Sequence, residues 1–321
     1  MIDNDNIVIA WASNVRSITL WSLGSSQGDT GPSLFSMLLR NFIASHILDG
    51  TRLYAVGDIH GRADLLRRVH EFIRQDACCS EASRKVVMYL GDYVDRGRDP
   101  CGVIDMLIND PLPGLERIHL KGNHDDCLIR FLANPQLGRL WLSHGGDSTV
   151  RSYGVVPPRS LSRSEIHRVH RELLRALPWA HSAFLRDLRL SHSEGGYFFV
   201  HAGIRPGTPF DRQTELDMLW IGKTFLNSRS NHGQIIVHGH NVTQVPDVQL
   251  NRIGIDTGAY QSGQLTCLIL QSTQRYFWQT SRPERDRPLR VSPVRMERVP
   301  GLPVGGLLEV SQGNGLSTNP R

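Results

Sequence analysis

The sequence predicts an α/β fold in which two mixed sheets pack as a β-sandwich flanked by helices, with a helical cap as an insertion. Three observations support this prediction. Strands and amphipathic helices alternate between Arg52 and Leu132, residues 134–192 show helical patterning, and short apolar strands follow one another between Tyr197 and Leu270. Alternation is typical of parallel strands covered by helices, and consecutive strands indicate a second sheet packed on the first.

The first half of this pattern contains strands and helices in turn. Apolar runs predict the strands, and apolar side chains spaced three and four residues apart predict the helices. The loops that bind ligands in such sheets lie at the carboxyl ends of the strands. The predicted strands are Leu53–Val56, Val86–Leu90 and Ile118–Leu120, and the predicted helices are Ala63–Gln75, Gly102–Ile108 and His124–Leu132.

The predicted cap, residues 134–192, carries no ligand motif. Its apolar residues from Ile166 to Leu177 have helical core spacing, and Pro178 ends the run. One folded domain is therefore predicted over residues 49–281, with the cap inside it. The strands predicted after the cap are Tyr197–Val200, Gln234–Val237, Arg252–Ile255 and Leu265–Leu270.

Both ends of the chain are predicted to lie outside this domain. Residues 1–48 are rich in Ser, Asn and Gly and contain one amphipathic stretch, Leu34–Leu48. We interpret this segment as a helix packing back on the domain or as a poorly ordered extension, with a partner-binding or membrane-surface helix as the alternative. Residues 282–321 are rich in Arg and Pro and are predicted to be a disordered tail.

The formal net charge of +5 comes mainly from the tail, because residues 271–321 contain eight Arg against four acidic residues. Aromatic side chains that could stack on bases are few there, so the signal for nucleic-acid binding is weak. Five cysteines without a Cys-x-x-Cys pair indicate neither a disulfide framework nor a zinc knuckle. A cytoplasmic protein is expected, since no secretory signal and no apolar run of about 18 residues occurs. The oligomeric state is left open.

Six short motifs rich in metal-ligand residues follow predicted strands. They offer carboxylates, an amide oxygen and imidazoles but no thiolate, which suits Mn²⁺, Fe or Zn²⁺ and argues against a structural zinc cluster. Together they predict a two-metal site that hydrolyses phosphate esters. The motifs are Gly57-Asp58-Ile59-His60-Gly61, Gly91-Asp92-Tyr93-Val94-Asp95-Arg96-Gly97, Gly122-Asn123-His124-Asp125, His201-Ala202-Gly203, His238-Gly239-His240 and Asp256-Thr257-Gly258.

Each candidate ligand has an ordinary structural explanation when taken alone. Asp58 could cap a turn, His60 could lie on the surface, and His201 or His240 could be a core residue bonded to backbone. The conjunction of all six loops in order favours metal ligation. Asp92 has two carboxylate oxygens that can bridge metals about 3.5–4 Å apart. The candidate ligands are Asp58, His60, Asp92, Asn123, His201 and His240.

Three further side chains supply what metals do not. Two cations acidify a bridging water, so that hydroxide can attack the phosphorus in line. His124 is a candidate proton donor to the leaving group, and Asp95 could hold its imidazole protonated and oriented. Arg96 offers a planar fork for two phosphate oxygens. A surface ion pair of Arg96 with Asp99 or Glu71 is the alternative explanation.

These motifs resemble those of the calcineurin-like metallophosphoesterases, specifically the bacterial serine/threonine phosphatases of the phosphoprotein phosphatase family. The resemblance runs from about Asp49 to Leu270 and implies the metallophosphoesterase β-sandwich with two divalent metal ions, Mn²⁺ or a mixed Fe/Zn pair. It also implies the following roles: Asp58, His60 and Asp92 bind the first metal, Asp92, Asn123, His201 and His240 bind the second, His124 with Asp95 donates the proton, and Arg96 clamps the phosphate.

The chain departs from this family pattern in two places. Many relatives have an Arg two residues after the Trp of a Leu-Trp-Ile segment, whereas Trp220 is followed here by Ile221, Gly222 and Lys223. Lys223 or Arg205 is the candidate replacement as second phosphate contact. His238 stands where relatives usually have an apolar residue and is interpreted as structural.

The predicted activity is hydrolysis of phosphomonoesters, with phosphoserine and phosphothreonine in proteins as the substrates favoured by the resemblance. Symmetrical hydrolysis of diadenosine tetraphosphate is the alternative reaction, because bacterial enzymes of that kind share the same metal loops. A non-catalytic interaction protein with a phosphatase fold is the alternative from another functional class. The expected partner is accordingly a phosphoprotein or a phosphorylated small molecule.

Overall fold

A computed structural model of the chain describes residues 46–110 and 112–280. Within these residues two five-stranded sheets pack together and helices flank them, which confirms the predicted α/β sandwich. The strands of the first sheet are β1 (Thr51–Val56), β2 (Arg84–Tyr89), β3 (Leu115–His119), β9 (Thr266–Gln271) and β10 (Gln274–Gln279). Their order in the sheet is β10-β9-β1-β2-β3, with β1, β2 and β3 parallel to one another.

The strands of the second sheet are β4 (Ser191–Glu194), β5 (Tyr197–Val200), β6 (Ile235–His238), β7 (Asp247–Val248) and β8 (Arg252–Gly254). Their order in the sheet is β4-β5-β6-β8-β7, in which β5, β6 and β8 are parallel. The sequence prediction missed β4, β7 and β10. Because β4 begins at Ser191, the predicted cap range ran two residues into a strand.

Most described helices lie in the first half of the domain and in the cap. The first helix begins at Ala63 as predicted and runs four residues beyond the predicted end, burying Leu66, Val69 and Ile73 on one face. The α-helices are α1 (Ala63–Cys79), α2 (Pro100–Asn109), α3 (Asn123–Ala133), α4 (Gly138–Trp141), α5 (Asp147–Ser152), α6 (Arg163–Ala176), α7 (Trp179–Arg186), α8 (Glu215–Trp220), α9 (Lys223–Leu226) and α10 (Ala259–Ser262).

Alternate residues of each central strand divide the core into two layers. Leu53 and Ala55 of β1 face the second sheet, where they join a cluster with Tyr197 and Phe199 of β5. Tyr54, the residue between the first two, points the other way into the cluster beneath the helices. Full burial of one large apolar side chain stabilises a fold by about 1.5–3 kcal/mol, so these layers hold the strand ends in register.

The end of β3 carries a histidine whose burial makes the fold sensitive to acid. The ring of His119 stacks on that of Tyr89, with centroids 5.0 Å apart. Burial lowers the pKa of His119 to about 4, and its Nε2 has no partner among the described residues. The unfolded chain therefore binds this proton more readily, with a pKa of about 6.5. The contribution to stability is complete above pH ~6.5 and is lost as the pH falls towards 4.

His119→Phe is expected to remove part of this acid-side loss, because Phe keeps the stacked ring and has no proton to bind. The free energy of unfolding should then fall by about 1–3 kcal/mol less between pH 7 and pH 4.5 than in the parent protein. Urea unfolding at pH 7 and at pH 4.5, with a chelator present, measures this change in the free energy of unfolding. His46→Phe, at an exposed position, is the matched control. Identical pH profiles for His119→Phe and the parent would contradict the prediction.

Two sequence predictions fall wholly or mainly outside the described residues. These are the amphipathic stretch Leu34–Leu48, of which only the last three residues are described, and the tail 282–321. Within residues 46–110 and 112–280, every helix is too short or too polar to span a lipid bilayer.

Candidate metal centre

The ends of four strands bring the predicted ligands together. The neighbouring parallel strands β1 and β2 lead into Asp58 and Asp92, and the parallel pair β5 and β6 leads into His201 and His240. The loops meet across the sandwich, where the backbone N–H of His240 donates to Asp58 Oδ2 at 3.0 Å. A Cβ at position 239 would lie only 1.9 Å from Asp58 Oδ1, so Gly239 is required for this approach.

Five residues of these loops hold backbone conformations that L-amino acids rarely adopt. His60, Asp92, Asp95, Arg96 and His240 have φ angles between 45° and 70°. Each such residue costs about 1–2 kcal/mol relative to ordinary backbone. Strain of this kind gathers at binding and catalytic sites, where surrounding contacts maintain it.

Asp92 lies at the centre of the ligand cluster. Its Oδ2 is 3.2 Å from His60 Nε2, and its Oδ1 is 3.6 Å from His201 Nε2 and accepts from the backbone N–H of His124 at 2.9 Å. His60 Nδ1 donates to the carbonyl oxygen of Val94 at 2.9 Å, so the neutral imidazole presents a lone pair at Nε2. Burial opposes protonation of His60, but the charge of Asp92 outweighs it and raises the pKa of the imidazole, so a proton or a cation at Nε2 is favoured.

The side-chain oxygen of Asn123 contacts the two histidines that follow strands of the second sheet. Its Oδ1 is 2.8 Å from His201 Nε2 and 3.0 Å from His240 Nδ1. His201 Nδ1 donates to the carbonyl oxygen of Leu90 at 2.9 Å, which leaves the lone pair of Nε2 available to a metal ion. Burial lowers the pKa of His201 and lowers that of His240 to about 3. Both imidazoles are therefore neutral at neutral pH and able to bind a metal ion.

Three buried carboxylates crowd the same space. Burial raises the pKa of Asp58, and the nearby charges of Asp256 and Asp92 raise it further. Burial also raises the pKa of Asp256. Burial disfavours the charge of Asp92 as well, but three imidazoles, chiefly that of His201, hold its pKa well below the usual range. Positive charge placed among these carboxylates would relieve their mutual repulsion.

The cluster could hold two cations, with Asp92 common to both groups of candidate ligand atoms. Asp58 Oδ1 and Asp256 Oδ2 are buried and receive no hydrogen bond from the residues described. A buried carboxylate oxygen without a partner is costly, and a divalent cation satisfies it. The grouping differs from the implied one, which joins Asp58 with His60. Two groups of residues each have ligand atoms within 4.8 Å of one another. One group is His60, Asp92 and His124, and the other is Asp58, Asp92 and His201.

The structure brings His124 and Asp95 together as a buried pair. His124 Nδ1 lies 2.7 Å from Asp95 Oδ2. Because a carboxylate accepts hydrogen bonds, Nδ1 carries the hydrogen and Nε2 is the atom left for chemistry. The ring lies edge-on to that of His60, with centroids 4.8 Å apart, so His124 adjoins the ligand cluster.

Comparison with known proteins identifies the family. The sequence pattern of the calcineurin-like phosphoesterases matches residues 51–264, two thirds of the chain. The chain belongs to the calcineurin-like phosphoesterase family. Membership of this family accounts for both the metal-ligand motifs and the two-sheet fold.

Two curated relatives match this phosphoesterase to a similar extent. Serine/threonine-protein phosphatase 1 of Salmonella typhimurium is 26% identical over 224 residues, 68% of this chain and 92% of the relative. The asymmetrical bis(5'-nucleosyl)-tetraphosphatase PrpE of Anoxybacillus flavithermus is 26% identical over 232 residues, 66% of this chain and 88% of the relative. A serine/threonine phosphatase structure from Saccharomyces cerevisiae has a TM-score of 0.44 at 14% identity, covering 80% of this chain and 89% of that one.

Arg96 of this phosphoesterase reaches the cluster from the second loop. Its Nη1 lies 3.1 Å from His60 Nε2, and its guanidinium lies over the ring of Tyr260, 4.9 Å from the centroid. No ion pair joins Arg96 to Asp99 or Glu71 within residues 46–110 and 112–280. Stacking on Tyr260 thus holds the guanidinium beside the ligands.

The two candidate replacements for the second phosphate contact have different surroundings. Arg205 forms a bidentate ion pair with Asp217, with N···O distances of 3.0 and 2.7 Å, which occupies its fork. Lys223 is exposed at the start of α9 and makes no ion pair in the described part of the chain. Neither is hydrogen-bonded to a predicted ligand there. His238 is buried, and its Nδ1 donates to the carbonyl oxygen of Gly239 at 3.0 Å.

Several residues that shape the site received no role from the sequence. The carboxylate of Asp125 accepts from the backbone N–H groups of Asp92 and Tyr93 at 2.9 and 3.0 Å, which fixes the loop that carries Asp92. The sequence signal that could have indicated this role is the position of Asp125 at the end of the motif Gly122-Asn123-His124-Asp125. Trp141 and Thr149 contact Asp95 from the cap, where no motif marks them.

Proposed function

We propose that this phosphoesterase hydrolyses phosphomonoesters at a two-metal site and acts on phosphoserine and phosphothreonine residues of proteins. The observation that carries the proposal is the convergence of carboxylate, amide and imidazole atoms from both sheets around Asp92. The proposed catalytic domain spans residues 49–281, with residues 134–192 as its cap. Membership of the phosphoesterase family supports the class of reaction.

The proposed ligands divide between two cations that share one carboxylate. Mn²⁺ is the first choice, and Fe and Zn²⁺ suit the same donor set. When bound, the cations supply an acidified water molecule and neutralise charge on the phosphate. The family pattern implies that Asp58, His60 and Asp92 would hold one cation, and Asp92, Asn123, His201 and His240 the other. The clustered ligand atoms instead place His60 beside His124 and Asp58 beside His201, with Asp92 common to both groups.

The proposed proton donor is Nε2 of His124. The departing alkoxide of a serine or threonine ester needs a proton, and the contact of Nδ1 with Asp95 leaves Nε2 as the nitrogen that can donate it. Arg96 would bind two phosphate oxygens with its planar fork. Arg205 and Lys223 remain candidates for a second phosphate contact.

Hydrolysis of dinucleoside tetraphosphates is the second candidate function. It is favoured by the relatives that carry this name, which match almost as much of the chain as the serine/threonine phosphatase does, at equal identity. The tetraphosphatase relative that matches 66% of the chain is named as an asymmetrical enzyme. A symmetrical tetraphosphatase of Aromatoleum aromaticum matches 48% of the chain.

Turnover of three substrates side by side separates the two functions. Purified protein with Mn²⁺, Fe²⁺ or Zn²⁺ is given p-nitrophenyl phosphate, a phosphoserine/phosphothreonine peptide and diadenosine tetraphosphate, and products are separated by chromatography. We expect kcat/KM for the peptide to exceed that for the dinucleotide. Faster dinucleotide cleavage would transfer the function to the second candidate, and the products would distinguish symmetrical from asymmetrical attack. Absence of turnover with all three metals would favour a non-catalytic interaction protein.

A further inference from the structure

The cap surrounds the carboxylate of Asp95 with hydrogen-bond donors. Thr149 Oγ1 donates to Asp95 Oδ1 at 2.6 Å and accepts from the backbone N–H of Asp95 at 2.9 Å. Trp141 Nε1 donates to both carboxylate oxygens, at 3.1 and 3.0 Å. With His124 Nδ1 on Oδ2, the buried carboxylate has three side-chain donors around it. Two of the three belong to the cap.

These donors have little freedom to turn away. The indole nitrogen of Trp141 is only a donor, and the side chain is fully buried against Phe131. The hydroxyl of Thr149 donates its one hydrogen to the carboxylate, which can only accept, and its oxygen accepts the backbone N–H of Asp95. The orientation of Asp95, and with it that of His124, is therefore set from the cap.

The backbone of the cap also supports the strained loop beneath it. Arg96 N–H donates to the carbonyl oxygen of Gly145 at 3.2 Å. Gly145 has a φ of 105°, and a Cβ there would lie 2.9 Å from Arg96 Cγ. The cap thus contacts Asp95 and Arg96, two consecutive residues in left-handed conformation, through both side chains and backbone.

We propose that Trp141 and Thr149 are positioning residues for proton donation, which hold Asp95 so that it orients His124 towards the leaving group. The inference rests on the proposed function and extends it from the ligand loops to the cap. Replacing a residue that orients a functional side chain through a hydrogen bond typically lowers activity by about 10- to 100-fold. The helical insertion then belongs to the catalytic apparatus.

Such a role predicts a dependence on the leaving group. p-Nitrophenolate departs without a proton, whereas phenolate, with a conjugate-acid pKa of about 10, gains from one. Trp141→Phe and Thr149→Val are each expected to lower kcat on phenyl phosphate about 10- to 100-fold and kcat on p-nitrophenyl phosphate about threefold or less, with KM little changed. Thr149→Ser, which keeps the hydroxyl, should restore the parent ratio.

The experiment compares these variants with Trp179→Phe, a replacement at an exposed tryptophan of the same cap. Metal content, thermal melting and the NMR signal of the His124 Nδ1 hydrogen are recorded alongside kcat. We expect the metal content to stay unchanged and that signal to move in Trp141→Phe and Thr149→Val but not in Trp179→Phe. Equal losses on both esters, or an unmoved signal, would overturn the inference. Absence of turnover by the parent protein on either ester would instead overturn the proposed function.

Discussion

Replacing Asp92 by Asn is expected to lower kcat by about 10³-fold or more while leaving the fold intact. Asp92 is the one residue common to both sets of clustered ligand atoms, so its charge serves both proposed cations. The amide keeps the shape of the side chain and an oxygen to accept the backbone N–H of His124. Turnover of p-nitrophenyl phosphate at saturating Mn²⁺ measures the loss.

The stability of the same variant tests the reason for the loss. Without metal, Asp92→Asn removes a charge that the imidazoles of His201, His124 and His60 stabilise enough to hold the pKa of Asp92 well below its usual range, so the melting temperature should fall while the chain stays folded. With metal, the parent should gain about 2.7 kcal/mol at a hundredfold excess over Kd, and the variant should gain far less. Asp211→Asn, at an exposed position, is the matched control. Full activity in a folded Asp92→Asn protein would refute the proposed site.

His124→Ala is expected to lower kcat by about 10²- to 10⁴-fold, the usual contribution of a general acid. The loss should be greatest for esters with poor leaving groups. The ring of His124 also lies close enough to His60 and Asp92 to be a metal ligand, so activity alone does not separate the two roles. Metal content does separate them, because a proton donor can be removed without losing a cation.

Mass-spectrometric metal analysis of His124→Ala therefore decides the role of this residue. Two equivalents of metal retained with a large loss in kcat would support the donor role. Loss of one equivalent would instead make His124 a ligand and leave the proton donor to be found. His144→Ala, an exposed histidine of the cap, should match the parent in both measurements.

The meeting of the candidate ligand loops was predictable because local pattern and topology agree. Asp58 and Asp92 each follow an apolar strand, and the carboxyl ends of neighbouring parallel strands lie side by side, so strand order alone brings the two residues together. The start of α1 at Ala63 was predicted for the same reason, since its apolar spacing is helical from the first turn. The positions of strand ends and helix starts can thus be predicted from patterns within a short stretch of sequence.

The missed features depend on contacts that no short window contains. The edge strand β4, Ser191–Glu194, has no apolar run, and β7 consists of only two residues. Trp141 and Thr149 lie 46 and 54 residues from Asp95 along the chain, and their contact depends on how the cap folds back. A tryptophan in a helix is more often an ordinary core residue, so the hydrogen bond from Trp141 to the Asp95 carboxylate had no sequence signal.

The meeting of the two sheets at the cluster has a mechanical consequence. Residues that face one another there are far apart in sequence, 182 positions in the case of Asp58 and His240 and 78 in that of Asn123 and His201. Cations bound between them would act as reversible cross-links that close long loops, in a protein whose described cysteines are all unpaired. Metal supply would then govern how slowly the sandwich comes apart as well as how fast it turns over substrate.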